Sequence, residues 1–418
     1  MQLKTILNRV EPYKSFVYSH IKMIDGGSRP QMEITIEPRA NGRPICSGCR
    51  KPAPGYDRQP QPRRFDYVPL WGMAVCFVYR MRRVNCATCG VKTEQVPWAD
   101  GKCHLTTSYR WFLARWAKRL SWKEVASAFH ATWEDVFRAV KHAVRWGLVH
   151  RDESGITAIG VDEIQWSRGH NYLTLVYQID DGCRRLLWVA NERTEESLRT
   201  FFRTLTDEVR TGIRFVCSDM WKAYLEVVRQ EMGQAVHVLD RFHLMKKMNE
   251  AIDQVRREEA SRLKRAGYEH ILKHSRWCLL KRPENLTDQQ TVKLRELTKY
   301  NLQSLRARLL REDFQRFWNY SSVGWAGKFL DQWCGRTMRS KLDPMKKVAA
   351  SLRRHRPLIL NWFRAHGAIS AGTVEGFNNK AKLTTRKAYG FRTFEAAETA
   401  LYHTLGALPE PKFTHEFC

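Results

Sequence analysis

Residues 157–163 read Thr-Ala-Ile-Gly-Val-Asp-Glu, a short apolar strand running directly into two carboxylates, Asp162 and Glu163. Residues 213–219, Ile-Arg-Phe-Val-Cys-Ser-Asp, repeat the pattern and end in Asp219. Around these two lie further strand candidates at 172–179, 185–190 and 235–239, with helices near 195–209 and 221–231. Three strands, a helix, a strand, a helix and another strand make an α/β pattern around a mixed sheet. Acids at strand ends are costly to gather unless something positive sits between them. Two carboxylates from neighbouring strands and a third from a helix suit two divalent ions in phosphoryl transfer. Magnesium fits, because it takes a few carboxylates and keeps waters or phosphate oxygens for the rest. A single Asp at a strand end is ordinarily a turn or cap residue, so the weight lies on the constellation.

The flanks are basic. The chain has 418 residues, 71 Lys and Arg against 43 Asp and Glu, and a formal net charge of +28. Residues 1–150 carry a net +14, residues 151–250 a net −2 and residues 251–365 a net +15. Two basic blocks around a nearly neutral segment are the footprint of a polyanion binder, most often nucleic acid. The length suggests two to four domains. No apolar run is long enough for a membrane span, and the N-terminus has no apolar signal segment. A cytoplasmic protein is expected, and its eleven cysteines then read as thiols and metal ligands rather than disulfides.

Cys46-Ser-Gly-Cys49 and Cys86-Ala-Thr-Cys89 are two C-x-x-C knuckles, with β-like runs at 32–36 and 74–79 around them. Two such knuckles supply the four thiolates of a closed structural zinc site. The gap between them exceeds the common spacing of about 15–20 residues, and Cys76, Cys103 and His104 are spare ligands that could substitute. Ser121-Trp-Lys-Glu124 is a capping box that starts a helix, and Thr132-Trp-Glu-Asp135 is a second N-cap. Two short helices across a tight turn have helix-turn-helix geometry. Periodicity alone does not separate that from a plain helical hairpin; the neighbouring zinc ribbon and the basic charge favour DNA binding. Arg138, Lys141 and Arg145 on the second helix are the candidates for phosphate or base contact.

The third carboxylate is Glu375, in Gly372-Thr-Val-Glu375-Gly-Phe-Asn378-Asn379-Lys380-Ala-Lys382, with Asn378 one turn further along an expected helix. Val161-Asp162-Glu163, Asp219-Met-Trp-Lys-Ala-Tyr224, Asp240-Arg-Phe-His243 and Glu375-Gly-Phe-Asn378-Asn379 stand in the order used by DDE transposases of bacterial insertion sequences. Arg386-Lys-Ala-Tyr-Gly-Phe-Arg392 continues the pattern. The chain most resembles the ISL-three family, whose members also carry a zinc ribbon and a helix-turn-helix.

That resemblance implies a multidomain α/β protein with an RNase H-like catalytic core interrupted by a helical insertion domain. The expected order is a zinc ribbon at 1–104, a helix-turn-helix at 105–150 and the first part of the core at 151–245. The insertion follows at 246–365, with breaks at Pro283, Gly324–Gly327 and Pro344, and 366–418 completes the core. Asp162, Asp219 and Glu375 would hold two magnesium ions, with Asp240, His243 and Asn378 as auxiliaries. Of Asp162 and Glu163 only one can aim at the metals, since neighbours on a strand face opposite ways, and the family pattern picks Asp162. Lys382 and Arg386 are further candidates for DNA contact. The tryptophans at 277, 318, 325, 333 and 362 are read as core. The implied partners are double-stranded DNA, at terminal inverted repeats and at a target, and at least a second copy of the chain. A non-catalytic DNA-binding regulator and an RNase H-like nuclease or resolvase are the rival readings.

Overall fold

The computed structural model describes residues 3–25, 30–167, 169–365, 371–388 and 390–412. Its contacts divide into two units. One runs to Asp152 and takes in residues from Thr384 onward; the other spans Glu153–Leu383.

The first unit opens with α1 (Leu3–Val10) and seven strands. These are β1 (Phe16–Ile24), β2 (Gln31–Pro38), β3 (Gly55–Arg58), β4 (Arg63–Leu70), β5 (Met73–Tyr79), β6 (Arg82–Cys86) and β7 (Gly90–Thr93). They form a four-stranded sheet, β1-β2-β5-β4, and a three-stranded sheet, β3-β6-β7. Alternation decides the faces: Met32, Ile34 and Ile36 of β2 are buried while the residues between them are less so. Trp98 fills this core, edge-on to Phe16, Phe65 and Tyr79. Three helices follow, α2 (Thr107–Ala117), α3 (Trp122–Phe129) and α4 (Trp133–Val149). Both expected capping boxes form, Ser121 with Glu124 and Thr132 with Asp135. His130, at φ 54°, ends α3 in the left-handed region and turns the chain into α4.

The second unit holds β8 (Ala158–Gln165), β9 (Tyr172–Asp180), β10 (Cys183–Asn191), α5 (Glu195–Thr204), α6 (Asp207–Gly212), β11 (Phe215–Ser218), α7 (Lys222–Glu231) and β12 (Val236–Leu239). The sheet order is β10-β9-β8-β11-β12. The first three strands pair antiparallel, and β8, β11 and β12 run parallel. Two details differ from the sequence reading. β8 continues past Val161, because β9 offers partners as far as Gln165, so Asp162 and Glu163 lie inside the strand. The helix expected over 195–209 is broken before Thr206, whose side chain caps α6.

From β12 the chain passes directly into α8 (Arg241–Arg265), then α9 (Arg276–Leu280), α10 (Asp288–Leu297), α11 (Gln303–Gln315), α12 (Val323–Met338), α13 (Asp343–Arg354) and α14 (Arg356–Arg364). One apolar core runs through them, centred on Phe314, Phe317, Leu330 and Trp333. Pro344 starts α13 rather than breaking a helix. Gly324 and Gly327 do not break the chain either; both lie within α12, and Gly327 leaves room for the Arg356 guanidinium. Trp318 and Trp333 are core as expected, whereas Trp277 and Trp325 are exposed, against Arg276 and Lys328 respectively. α14 is tied to the sheet by Asn361, whose Nδ2 donates to the His237 carbonyl at 2.7 Å.

α15 (Ala371–Lys387) then packs on the sheet: Val374 lies against Gly160, and Phe377 stacks on Tyr177 at 4.8 Å. The last helix, α16 (Phe394–Leu405), packs on α4 in the first unit. Lys141 pairs with Glu395, Leu408 seats against Gly147, and Glu410 bridges Arg115 and Lys118 at 2.8 and 2.6 Å. The span 366–418, read from sequence as one piece of the core, is thus shared between the two units.

Candidate active site

Asp162 sits on the central strand β8, 6% exposed. Asp219 follows β11, and its Oδ1 accepts the Trp221 backbone N–H at 2.9 Å. Asp240 follows β12 and caps α8, its Oδ1 accepting from the Phe242 N–H at 2.8 Å. Asp219 and Asp240 come to the level of Asp162 because β11 and β12 run parallel to β8 and end while β8 continues. His243, in the first turn of α8, lies 3.3 Å from Asp240 through Nδ1 and 3.9 Å from Asp162 through Nε2. Among the described residues, Asp162, Asp240 and His243 form a carboxylate–imidazole group whose ligand atoms all lie within 4.8 Å of one another.

Asp219 stands to one side, in a second cluster. Arg193 Nε lies 2.6 Å from Glu163, and its Nη2 lies 3.7 Å from Asp219 Oδ2. Glu163, expected to face away, is therefore linked to Asp219 through a guanidinium. Its pKa is pushed up to about 7, first by burial and then by the Asp219 charge. Burial also raises Asp162 above the usual carboxylate range, although His243 opposes it. For His243, burial lowers the pKa, but the hydrogen bond and charge of Asp240 together with Asp162 outweigh it and the net shift is upward. Four carboxylates thus meet one arginine and one histidine, an excess of negative charge that protons or a bound cation relieve.

Glu375 is half-buried on α15, one turn before Asn378. Asn378 joins that helix to the strand: its Nδ2 donates to Asp162 Oδ2, and its Oδ1 accepts from the Tyr177 hydroxyl at 3.0 Å. A carboxylate only accepts, so Asp162 draws the amide nitrogen toward itself and leaves Oδ1 for the Tyr177 hydroxyl. Sequence reasoning passed over Tyr177 and Arg193. A tyrosine in the middle of an apolar strand run was the available signal, since a buried phenol needs a partner. Nothing local marks Arg193, two residues beyond its strand.

The other sequence candidates separate clearly. The Sγ atoms of Cys46, Cys49, Cys86 and Cys89 lie within 4.8 Å of one another, between the turns that flank β3, β6 and β7. Gly48 is required there, because a Cβ would come 2.9 Å from Cys89 Sγ. Backbone N–H groups of Cys89 and Thr88 draw the Cys86 thiol down to about 7, while burial and the neighbouring thiols push Cys89 up. Cys76 and Cys103 lie outside the group, and His104 pairs with Asp66 and Asp135 instead. Arg138 and Arg145 are exposed on α4, Arg138 pairing with Glu134 at 2.6 Å, while Lys141 pairs with Glu395. Lys382 and Arg386 are exposed on α15; Tyr389 of the motif after it lies outside the described residues.

A family model described as Transposase, for DDE transposases of the ISL-three type, matches residues 159–401. The chain belongs to that family. The match takes in both carboxylate clusters, the helical block and α15. This transposase is 30% identical to the transposase for insertion sequence element IS1001 of Bordetella parapertussis, over 80% of this chain and 82% of the relative. It is 29% identical to the transposase for insertion sequence element IS1557 of Mycobacterium tuberculosis, over 89% and 88% of the two chains. No described helix is long and apolar enough to cross a membrane.

Proposed function

We propose that this transposase binds the terminal inverted repeats of its own insertion sequence and carries out metal-dependent strand cleavage and strand transfer there. One observation carries the reading: Asp162, Asp240 and His243 converge within ligand distance while Asn378 ties the Glu375 helix to Asp162. The sheet order β10-β9-β8-β11-β12, with three antiparallel strands and then two parallel ones, supports an RNase H-like core interrupted by the helical block.

The donor set fits magnesium: it is oxygen-rich, short of cations and open to one side through Asp219. Asp162, Asp219 and Glu375 would hold two ions, with Asp240 and His243 alongside. When bound, such ions make water, and later a 3′-hydroxyl, better nucleophiles and stabilise the departing oxygen. Asn378 and Tyr177 hold Asp162 in one orientation, and Asp240 anchors the first turn of α8, where His243 faces the site. In cleavage the water oxygen bonds to phosphorus as the phosphorus–O3′ bond breaks, and a proton passes to that 3′-oxygen. In transfer the 3′-hydroxyl loses its proton as its oxygen bonds to a target phosphorus, the target phosphorus–O3′ bond breaks, and the displaced 3′-oxygen takes up a proton. No protein nucleophile is needed.

The four-cysteine cluster fits one structural zinc ion, because four thiol sulfurs within 4.8 Å of one another are the donor set that a closed zinc site takes. α3 and α4 act as the helix-turn-helix, with Arg138, Lys141 and Arg145 reading or gripping the repeat and Lys382 and Arg386 adding phosphate contacts. Cutting two ends together calls for at least a homodimer on double-stranded DNA, and chromosomal ends and targets require the protein to reach the bacterial nucleoid. The test is cleavage of labelled DNA from the borders of the gene with magnesium, wild type beside Glu375→Gln, with a chelator control. Nicks at one defined position that vanish in the variant are expected. Tight binding without cutting under any metal would leave a non-catalytic DNA-binding protein.

A further inference from the structure

Arg193 is held in place by more than its own ion pairs. The residue before it, Glu192, has φ 74°, a conformation non-glycine residues rarely adopt. It is kept there by its N–H donating to the Tyr172 carbonyl at 2.9 Å and by its carbonyl accepting from Thr174 Oγ1 at 2.8 Å. Strain that the surroundings hold in this way marks a position worth a functional question. The turn brings the Arg193 guanidinium over the Trp221 ring, 4.3 Å from its centroid, and 2.6 Å from Glu163.

Asp219 is oriented by the turn that follows β11. Its Oδ1 is occupied by the Trp221 N–H, which leaves Oδ2 toward Arg193 at 3.7 Å, within ion-pair reach but too far for a hydrogen bond. Oδ2 is then the oxygen that a metal would take. We propose that Arg193 is a built-in counter-ion that competes with the divalent cation for Asp219 Oδ2. While the metal is absent it balances Glu163 and Asp219 and keeps the carboxylates gathered; the metal must displace its charge from Asp219 to bind. Arg193 therefore sets how tightly the site takes metal. Arginine suits this use because it cannot lose its proton and its planar fork can turn from a carboxylate to a phosphate without losing donors. The inference rests on the reading of these carboxylates as the metal site.

The test is Mn2+ binding to the zinc-loaded full-length protein without DNA, followed by calorimetry and by the free-ion electron paramagnetic resonance signal. Arg193→Gln and Arg193→Met remove the charge, and circular dichroism checks that they fold. Both are expected to bind Mn2+ more tightly, on the order of tenfold, because a unit charge close to the ion is gone. Arg193→Lys keeps the charge and should stay within about threefold of wild type. Neutral variants that bind Mn2+ no better than wild type would overturn the inference and leave the metal site standing. A wild-type protein that takes up no Mn2+ at millimolar concentration would overturn the metal site and this inference together.

Discussion

Gly160→Ala tests whether the helix carrying Glu375 is set by its contact with the central strand. A Cβ at Gly160 would lie 2.5 Å from Val374 Cγ2 and 3.3 Å from Ile179 Cγ2. Ordinary contact begins near 3.4 Å, so α15 must back away by about 1 Å at Val374. Rotation offers no escape, because a β-branched side chain in a helix has essentially one χ1 rotamer. Overpacking of this kind costs about 1–3 kcal/mol, partly offset by about 0.5–1 kcal/mol from replacing a strand glycine. A net loss of roughly 1–2 kcal/mol is expected. The effect on cleavage should be larger, since a displacement of about 1 Å at reacting groups can cost on the order of a hundredfold in rate. Val374→Ala removes the colliding methyls, and in the Gly160→Ala background it should restore most of the cleavage and the lost stability. The assay is a double-mutant cycle of urea unfolding and metal-dependent nicking of the border DNA. A Gly160→Ala protein that cuts like wild type, or a double variant no better than Gly160→Ala alone, would refute the packing account.

Cys89→Ser should lower bound zinc from one ion per chain to nearly none by elemental analysis. It should also expose the β3-β6-β7 sheet to protease, since thiolate ligands and fold are coupled at such sites. His403, buried on α16, has its pKa lowered from 6.5 to about 3 by burial. Between those values the unfolded chain binds a proton that the folded chain does not. Its stabilising contribution is therefore complete above pH 6.5 and falls by about 1.4 kcal/mol per unit as pH drops; His403→Phe should flatten that limb in urea titrations. Glu395→Gln frees Lys141 from its partner on α16. It should tighten binding of the border DNA at low salt and steepen the log–log salt dependence by up to about 0.9; an unchanged slope would mean that Lys141 touches no phosphate.

Much of the architecture was legible because it depends on short-range chemistry. The two capping boxes, the paired C-x-x-C knuckles and the five core strands are each written within a few residues, where backbone hydrogen bonding and periodicity decide the outcome. Reading failed where the deciding partner is distant. β8 outran its apolar stretch because β9 supplies hydrogen bonds to Gln165, and Gly327 stayed helical because packing against Arg356 and Leu360 of α14 outweighs its propensity, while Gly324 lies in the exposed first turn of α12.

The sequence by itself determined which residue types were available: carboxylates at 162, 163, 219, 240 and 375, a histidine at 243, and four thiols in two pairs. Tertiary structure decided which of them meet. Strand order puts Asp162 beside Asp240 and His243, while the left-handed turn at Glu192 swings Arg193 between Glu163 and Asp219. It also gave the last helix to α4 rather than to the core sheet, through Glu395, Leu408 and Glu410. Charge pairing and apolar burial act on distances in space, and residues as far apart along the chain as Asp162 and Asn378 acquire a distance only once the sheet and its helices are assembled.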